Sequence, residues 1–285
     1  MTIRFSPSRV RRNVSGRARP RGGGGGCLRL VLALGLAAFA VISFLGSKTY
    51  NPITGEEQYI SITQDQEIAL GVQAAPQMAA QYGGLAPETE LQAIVDEVGH
   101  SLVQNSFARQ SGYPFEFHLL DDGETVNAFA LPGGQVFITY ALLSRLESEA
   151  QLAGVLGHEI GHVIGRHGAE QIAKQELTQG LTGAIVLASY DPDNPSSSGS
   201  AQIALILGQL VNMRYGREAE LESDFWGVCI LENAGYDPQE MVRVMEILDE
   251  ASGSGRPPEF LSTHPDPGNR ISEIESAIDN IENCP

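Results

Sequence analysis

The sequence predicts an α+β fold, mainly helical, with one small β-sheet. Three observations carry that expectation. Apolar residues recur at helical spacing along most of the chain, as in Leu91, Ile94, Val95, Val98 and Leu102. One region alone alternates as strands do: "FEFHLLDD" is followed by "VNAFALPGGQVFIT", which reads as strand, Pro-Gly-Gly turn, strand. A stretch with apolar flanks, "GHEIGHVIGRH" from Gly157 to His167, holds three of the six histidines of the chain.

The elements follow in order. Residues 1–27 form a basic arm ending in a glycine run, and residues 28–46 are apolar. Residues 47–63 read as a linker with an extended stretch, "YISI". A domain from 64 to 285 follows, opening with helices at Gln64 to Tyr82 and Pro87 to Val103, parted by "GGLAP". After the strands, Tyr140 to Leu146 begins a helix. A longer one runs through "SEAQLAGVLGHEIGHVIGRH", with Ser148 as N-cap and Gln151 reaching back to close a capping box. Residues 168–188 continue as helix, 190–200 are loop, and 201–231 are helix with a break near Gly216. Helices at 238–251 and 270–281 close the chain around a Pro- and Gly-rich loop. The apolar runs 181–188 and 201–211 are each too short to span a bilayer and read as core helices.

Charge is unevenly spread. Eight arginines and no acid lie in residues 1–45, leaving ten basic against 35 acidic side chains in the remainder, a net of −25. So acidic a body excludes nucleic acid as a partner. Seven arginines precede the uncharged run Leu30 to Leu45 and only Lys48 follows it closely. The positive-inside rule then anchors the protein through residues 28–46, with the body outside the cytoplasm, in the periplasm or its equivalent. A cleaved signal peptide, giving an exported soluble form, and an organellar transit peptide are the alternatives. Cys229 and Cys284 have the option of pairing after export; a buried free thiol at Cys229 is the other reading.

His158 and His162 are four apart and share one helix face, the spacing at which two imidazoles grip one zinc ion. Glu159 stands beside the first of them, completing the HExxH pattern of zinc peptidases. His167 lies nine residues after His158, about 180° away on a continuous helix, so a third ligand must come from elsewhere. The stretch "RYGREAELESDFWG" offers two pairs: Glu218 with Glu222 on one face, Glu220 with Asp224 on another. Helix geometry does not choose between them. His118 reads as an ordinary strand side chain.

HExxH, the later ExxxD, "VNAFALPGG" and "HPDPGNRI" occur in the order found in metallopeptidase family forty-eight, the zinc peptidases of the HtpX, BepA and CaaX-prenyl-protease type, and the sequence resembles that family over most of residues 60–281. The resemblance implies a mainly helical zincin-like fold and one Zn2+ per chain. It implies that Glu220 is the third ligand and Asp224 orients a ligand histidine. Ser223 stands where the family mostly has Ala. It implies a minimal, single-anchor member, without the repeat tail or the multiple spans of its larger relatives.

Three protein ligands leave a fourth position for water, with Glu159 as general base. Arg270 is a candidate for steadying the oxyanion, against an ordinary surface arginine. Asn127 is expected to line the cleft, against a role as turn cap. "GGQVFIT", with Gly134, is expected to be the edge strand along which an extended substrate lies. His264, in a Pro- and Gly-rich loop, is expected as a fourth ligand or plug over the metal, as the resemblance to BepA-like members implies, against a role in capping the last helix or contacting substrate. The implied activity is endopeptidase action on protein or peptide substrates, unfolded or membrane-associated, in protein quality control. A chaperone-like assembly factor with a zinc site and little proteolysis is the alternative.

Overall fold

The computed structural model describes residues 25–87, 89–189, 215–252, 258–264 and 269–285. The loop read at 190–200 and the helix read over 201–214 lie outside them. Among the described residues the chain is mostly helical, with two small sheets.

Helix α1 (Gly25–Gly46) contains a 20-residue apolar stretch, Cys27–Gly46, long and apolar enough to cross a membrane. The residues read as a linker form a hairpin instead, β1 (Lys48–Tyr50) paired antiparallel with β2 (Glu57–Tyr59). Its buried Asn51 and Gln58 explain why: both side chains donate to backbone carbonyls at the end of a helix described below. Helix α2 (Gln64–Gln81) starts at a full capping box between Thr63 and Gln66, and α3 (Thr89–Gln104) turns Val95, Val98 and Leu102 into the core.

The three-stranded sheet has the order β3 (Glu116–Leu120), β5 (Gln135–Thr139), β4 (Ala128–Leu131). β3 runs parallel to β5 and β4 antiparallel to it. The expectation that "GGQVFIT" is the edge is therefore corrected. β5 is the central strand, buried along its length, and β4 is the edge. Gly134 sits in the β4–β5 turn at φ 101°, a conformation that suits glycine, and its carbonyl accepts from Glu116 on the β3 side. His118 is a strand residue bonded to Gln135, as expected.

A short α4 (Tyr140–Leu143) leads to α5 (Glu149–Ile164). Ser148 caps α5, but Gln151 accepts from the Glu147 amide, one residue before the position a capping box requires. Every residue of α5 from Gln151 to Ile164 is buried. The helix does not continue through His167. It stops at Gly165, and Arg166 takes φ 55°, the one non-glycine residue with positive φ among those described. Three contacts hold this break. Asn51 Nδ2 donates to the Ile164 carbonyl at 2.7 Å, Gln58 Nε2 donates to the Gly165 carbonyl, and the Arg166 guanidinium pairs with buried Glu67.

Helix α6 (His167–Ser189) starts beyond the break and runs back along α1: a side chain built at Gly180 would meet the Ala40 Cβ at 2.6 Å, and one at Gly183 would meet Leu36 at 3.6 Å. The run 181–188 is therefore only partly buried, with Thr182 and Ala184 covered, and lies apart from the main core. Leu181 and Ile185 are exposed beside α1.

Helix α7 (Arg217–Ala234) crosses α5 at very close range. A Cβ at Gly161 would lie 2.8 Å from the Ser223 carbonyl, and one at Gly227 would lie 3.3 Å from the His158 amide. Only small residues allow backbones this near. Helices α8 (Gln239–Ser252), α9 (Glu259–Thr263) and α10 (Arg270–Asp279) complete the core. Cys229 on α7 is joined to Cys284 in a disulfide with Cα atoms 5.3 Å apart, so the free-thiol reading is set aside. The bridge spans a sequence separation of 55, and loop entropy puts its stabilisation at about 4 kcal/mol.

Candidate active site

The site is built where α5 and α7 touch. His158 and His162, one turn apart, project their Nε2 atoms to within 3.1 Å of each other. From α7, Glu220 places Oε1 3.5 Å from His162 Nε2 and Oε2 3.6 Å from His158 Nε2. His264, just after α9, brings Nδ1 to 3.2 Å from Glu220 Oε1 and 3.4 Å from His158 Nε2. One ligand atom from each of these four buried residues lies within 4.8 Å of the others.

Of the two acidic pairs left open by helix geometry, Glu220 and Asp224 face the histidines. Glu218 is exposed, and Glu222 turns to His167. Asp224 Oδ1 accepts from His158 Nδ1 at 2.9 Å. Arg270 is buried, not a surface residue: its Nε and Nη2 donate to the two Asp224 oxygens at 2.8 and 2.7 Å, and Nη1 lies 3.2 Å from Glu220 Oε2. Its guanidinium is committed to these carboxylates, so the expected oxyanion role gives way to one of holding Asp224 and Glu220 in place. Burial opposes charge on Asp224, but Arg270 outweighs it and lowers the carboxyl below its usual range.

Glu159 is fully buried, and neither of its oxygens has a hydrogen-bond partner. Burial raises its pKa, with His264 and His158 opposing the rise. Burial also pushes His162 well down, aided by the neighbouring His158. On His264 burial works against protonation, yet Glu159 and Glu220 carry its pKa upward. Several imidazoles are buried together with Glu220 and Glu159, and Glu159 makes no hydrogen bond and has His264 Nε2 3.5 Å from Oε1; the cluster calls for a bound cation. The donor set fits one zinc ion in a site of nitrogen and oxygen ligands.

A cleft of about 250 Å³ opens beside the cluster, lined by Tyr82, Asn127, β4 residues Phe129 to Leu131, Tyr215 and His264. Asn127 donates to the Tyr82 hydroxyl at 3.2 Å, and that hydroxyl donates to Glu259 at 2.7 Å. Burial and the adjacent Glu259 push the Tyr82 phenol up to about 12, so it stays a donor. Asn127 Oδ1 is buried without a partner. Gly134 belongs to the turn and does not line this cleft.

Three residues escaped the sequence reading. Tyr215 stacks on His162 with ring centroids 4.2 Å apart, a contact that an isolated tyrosine before a glycine does not signal. Tyr82 lies in the cleft from a distant helix. His167 was set aside as pointing away, yet the break at Arg166 brings its Nδ1 to 2.9 Å from His162 Nδ1. The signal available was the glycine at 165, which allows a helix to end there.

An HExxH pair on one buried helix, an acidic third donor on a second helix, and a buried glutamate beside them that makes no hydrogen bond define a zinc metallopeptidase site of the zincin kind. The chain belongs to peptidase family M48, which it matches over residues 87–278. It is 34% identical over 253 residues to the beta-barrel assembly-enhancing protease of Escherichia coli K12, a match that covers 84% of this chain and 49% of that protein. It is 31% identical over 229 residues to the mitochondrial metalloendopeptidase OMA1 of Schizosaccharomyces pombe, covering 79% and 65%. It is 27% identical over 240 residues to OMA1 of Saccharomyces cerevisiae, covering 78% and 67%. The chain thus spans about half the length of the bacterial relative.

Zinc content separates the acidic candidates. Glu220→Gln is expected to lose bound metal, as are His158→Ala and His162→Ala, whereas exposed Glu218→Gln retains it. Metal analysis of the purified variants checks this, and loss in Glu218→Gln with retention in Glu220→Gln would reassign the third ligand.

Proposed function

We propose that the protein is a zinc-dependent endopeptidase, with His158, His162 and Glu220 as ligands and Glu159 as general base. The observation that carries this reading is the buried Glu159 carboxylate, with no hydrogen bond on either oxygen, beside the convergent histidine nitrogens. A purely structural zinc site needs no such base. Zinc at this position supplies Lewis acidity for the attacking water and the scissile carbonyl. Glu159 takes the proton of the attacking water and hands it to the leaving amine; burial raises its pKa, which favours holding that proton in between. Asp224 accepts the Nδ1 proton of His158 and so keeps Nε2 free to coordinate. An extended substrate pairs with the edge strand β4, and Asn127 Oδ1 accepts one of its backbone N–H groups.

His264 is the plug of a resting state. Its closeness to Glu220 and His158 supports this, as does the backing of α9 by the Phe260 amide on the Val126 carbonyl and by Glu259 on Tyr82. Helix α1 is the membrane anchor, with the body outside the cytoplasm. The arginine asymmetry about its apolar run supports that orientation. Substrates are unfolded or membrane-associated proteins, a reading supported by relatives named for β-barrel assembly and for the mitochondrion.

In a casein digestion assay Glu159→Gln is expected to lose at least ~10²-fold in activity while keeping its zinc; near-normal digestion would favour the assembly-factor alternative. His264→Ala is expected to raise basal digestion at constant zinc content, and unchanged or lower activity would reject the plug. Added protease is expected to digest the body in intact spheroplasts. Digestion only after the cytoplasm is exposed would reverse the orientation, and a mature N-terminus near residue 47 would remove the anchor.

A further inference from the structure

We infer that His167 and Glu222 are a positioning pair that fixes the ring of His162 for zinc, matching what Asp224 does for His158. The inference rests on the reading of His162 as a ligand. With Nε2 of His162 directed at Glu220 and His158, its remaining ring nitrogen is Nδ1, which carries the proton when Nε2 coordinates. That proton needs an acceptor, and His167 Nδ1 lies 2.9 Å away. His167 Nδ1 is then the unprotonated nitrogen, so its proton is on Nε2. Nε2 lies 3.2 Å from Glu222 Oε2 and donates to it. The other Glu222 oxygen accepts from Trp226 Nε1 at 3.2 Å. Ser223 Oγ lies 3.2 Å from the same His167 Nδ1, whose single lone pair is taken by the closer His162, so the hydroxyl is a weaker, competing contact.

The rings of His162 and His167 meet edge to face, with centroids 5.0 Å apart. Five residues along an unbroken helix would carry His167 some 140° around from His162. The contact exists because the chain turns at Arg166 in its left-handed conformation. His167 is nearly fully buried, while Glu222 is partly exposed, with a side chain 23% accessible. Neither is among the four residues whose ligand atoms converge. Both act through His162 and are positioning residues. A carboxylate behind an imidazole raises the basicity of the ligand it supports and fixes its tautomer. Here the support passes through one further imidazole.

The test is zinc affinity of the full-length protein in detergent, by chelator competition, together with the melting temperature of the metal-free form. His167→Ala is expected to weaken zinc about 10- to 100-fold. Glu222→Gln is expected to weaken it by a smaller factor with the metal-free melting temperature unchanged, since that side chain is partly exposed. His167→Gln, whose amide oxygen can accept the His162 proton, is expected to recover part of the loss. The double variant His167→Ala/Glu222→Gln is expected to match His167→Ala alone, because the two act in series. Unchanged zinc affinity in both His167→Ala and Glu222→Gln overturns the inference, and so does a loss that only follows the fall in metal-free stability. If His167→Ala fails to fold, Glu222→Gln and His167→Gln decide the matter. Zinc binding that survives His162→Ala would instead reject His162 as a ligand, a failure distinct from that of the pair.

Discussion

The site depends on the contact between α5 and α7. Zinc ligands from two helices must meet within a few ångströms, which demands that the backbones carrying them lie closer than ordinary side chains permit. Gly161 faces Ser223, and Gly227 faces the His158 amide; a side chain larger than hydrogen at Gly161 would collide with main-chain atoms of α7. The residues between the two histidines of HExxH are therefore under constraint themselves. Leu156, Ile160 and Ile164 anchor the same helix in the core, so α5 cannot slide to relieve such a collision.

That contact gathers three carboxylates into a dry interior, and each finds a different answer to the cost of burial. Asp224 is held by Arg270 on both oxygens and by His158. Glu220 shares Arg270 and faces three histidines. Glu159 makes no hydrogen bond, and His264 Nε2 lies 3.5 Å from its Oε1. Arg270 thus neutralises Asp224 and Glu220.

Local pattern made much of this legible. The 3.6-residue period and the spacing of His158 and His162 needed no tertiary knowledge, and the strand–turn–strand stretch was plain from alternation. The choice of Glu220 over Glu222 was not readable from helix geometry, because both lie on exposed-looking acidic turns; the family resemblance supplied it. Strand order was also out of reach: β3 and β5 are parallel, so β5 became central through a pairing between segments that are not neighbours in sequence. The apparent linker hid a hairpin because Asn51 and Gln58 look like solvent-facing polar residues. Their partners are carbonyls more than 100 residues away. His167 was misjudged for a related reason, since a helical wheel assumes a helix, and a single left-handed residue voids it.

The pairing of α6 with α1 sets a length scale. Ser47, at the end of the apolar stretch, and Ala173 of α6 line the same pocket. Six residues of helix separate Ala173 from His167, on the order of 10 Å. With α1 seated in a bilayer as proposed, α6 would start beside the metal cluster at His167, pass the headgroup level near Ala173 and continue along α1 beside Ala40 and Leu36. The cleft then stands at a nearly constant height above the membrane. On the proposed reading as a membrane-anchored peptidase, polypeptide close to the lipid would fall within its reach and compact domains held farther out would not, a restriction by height that requires no recognition of sequence.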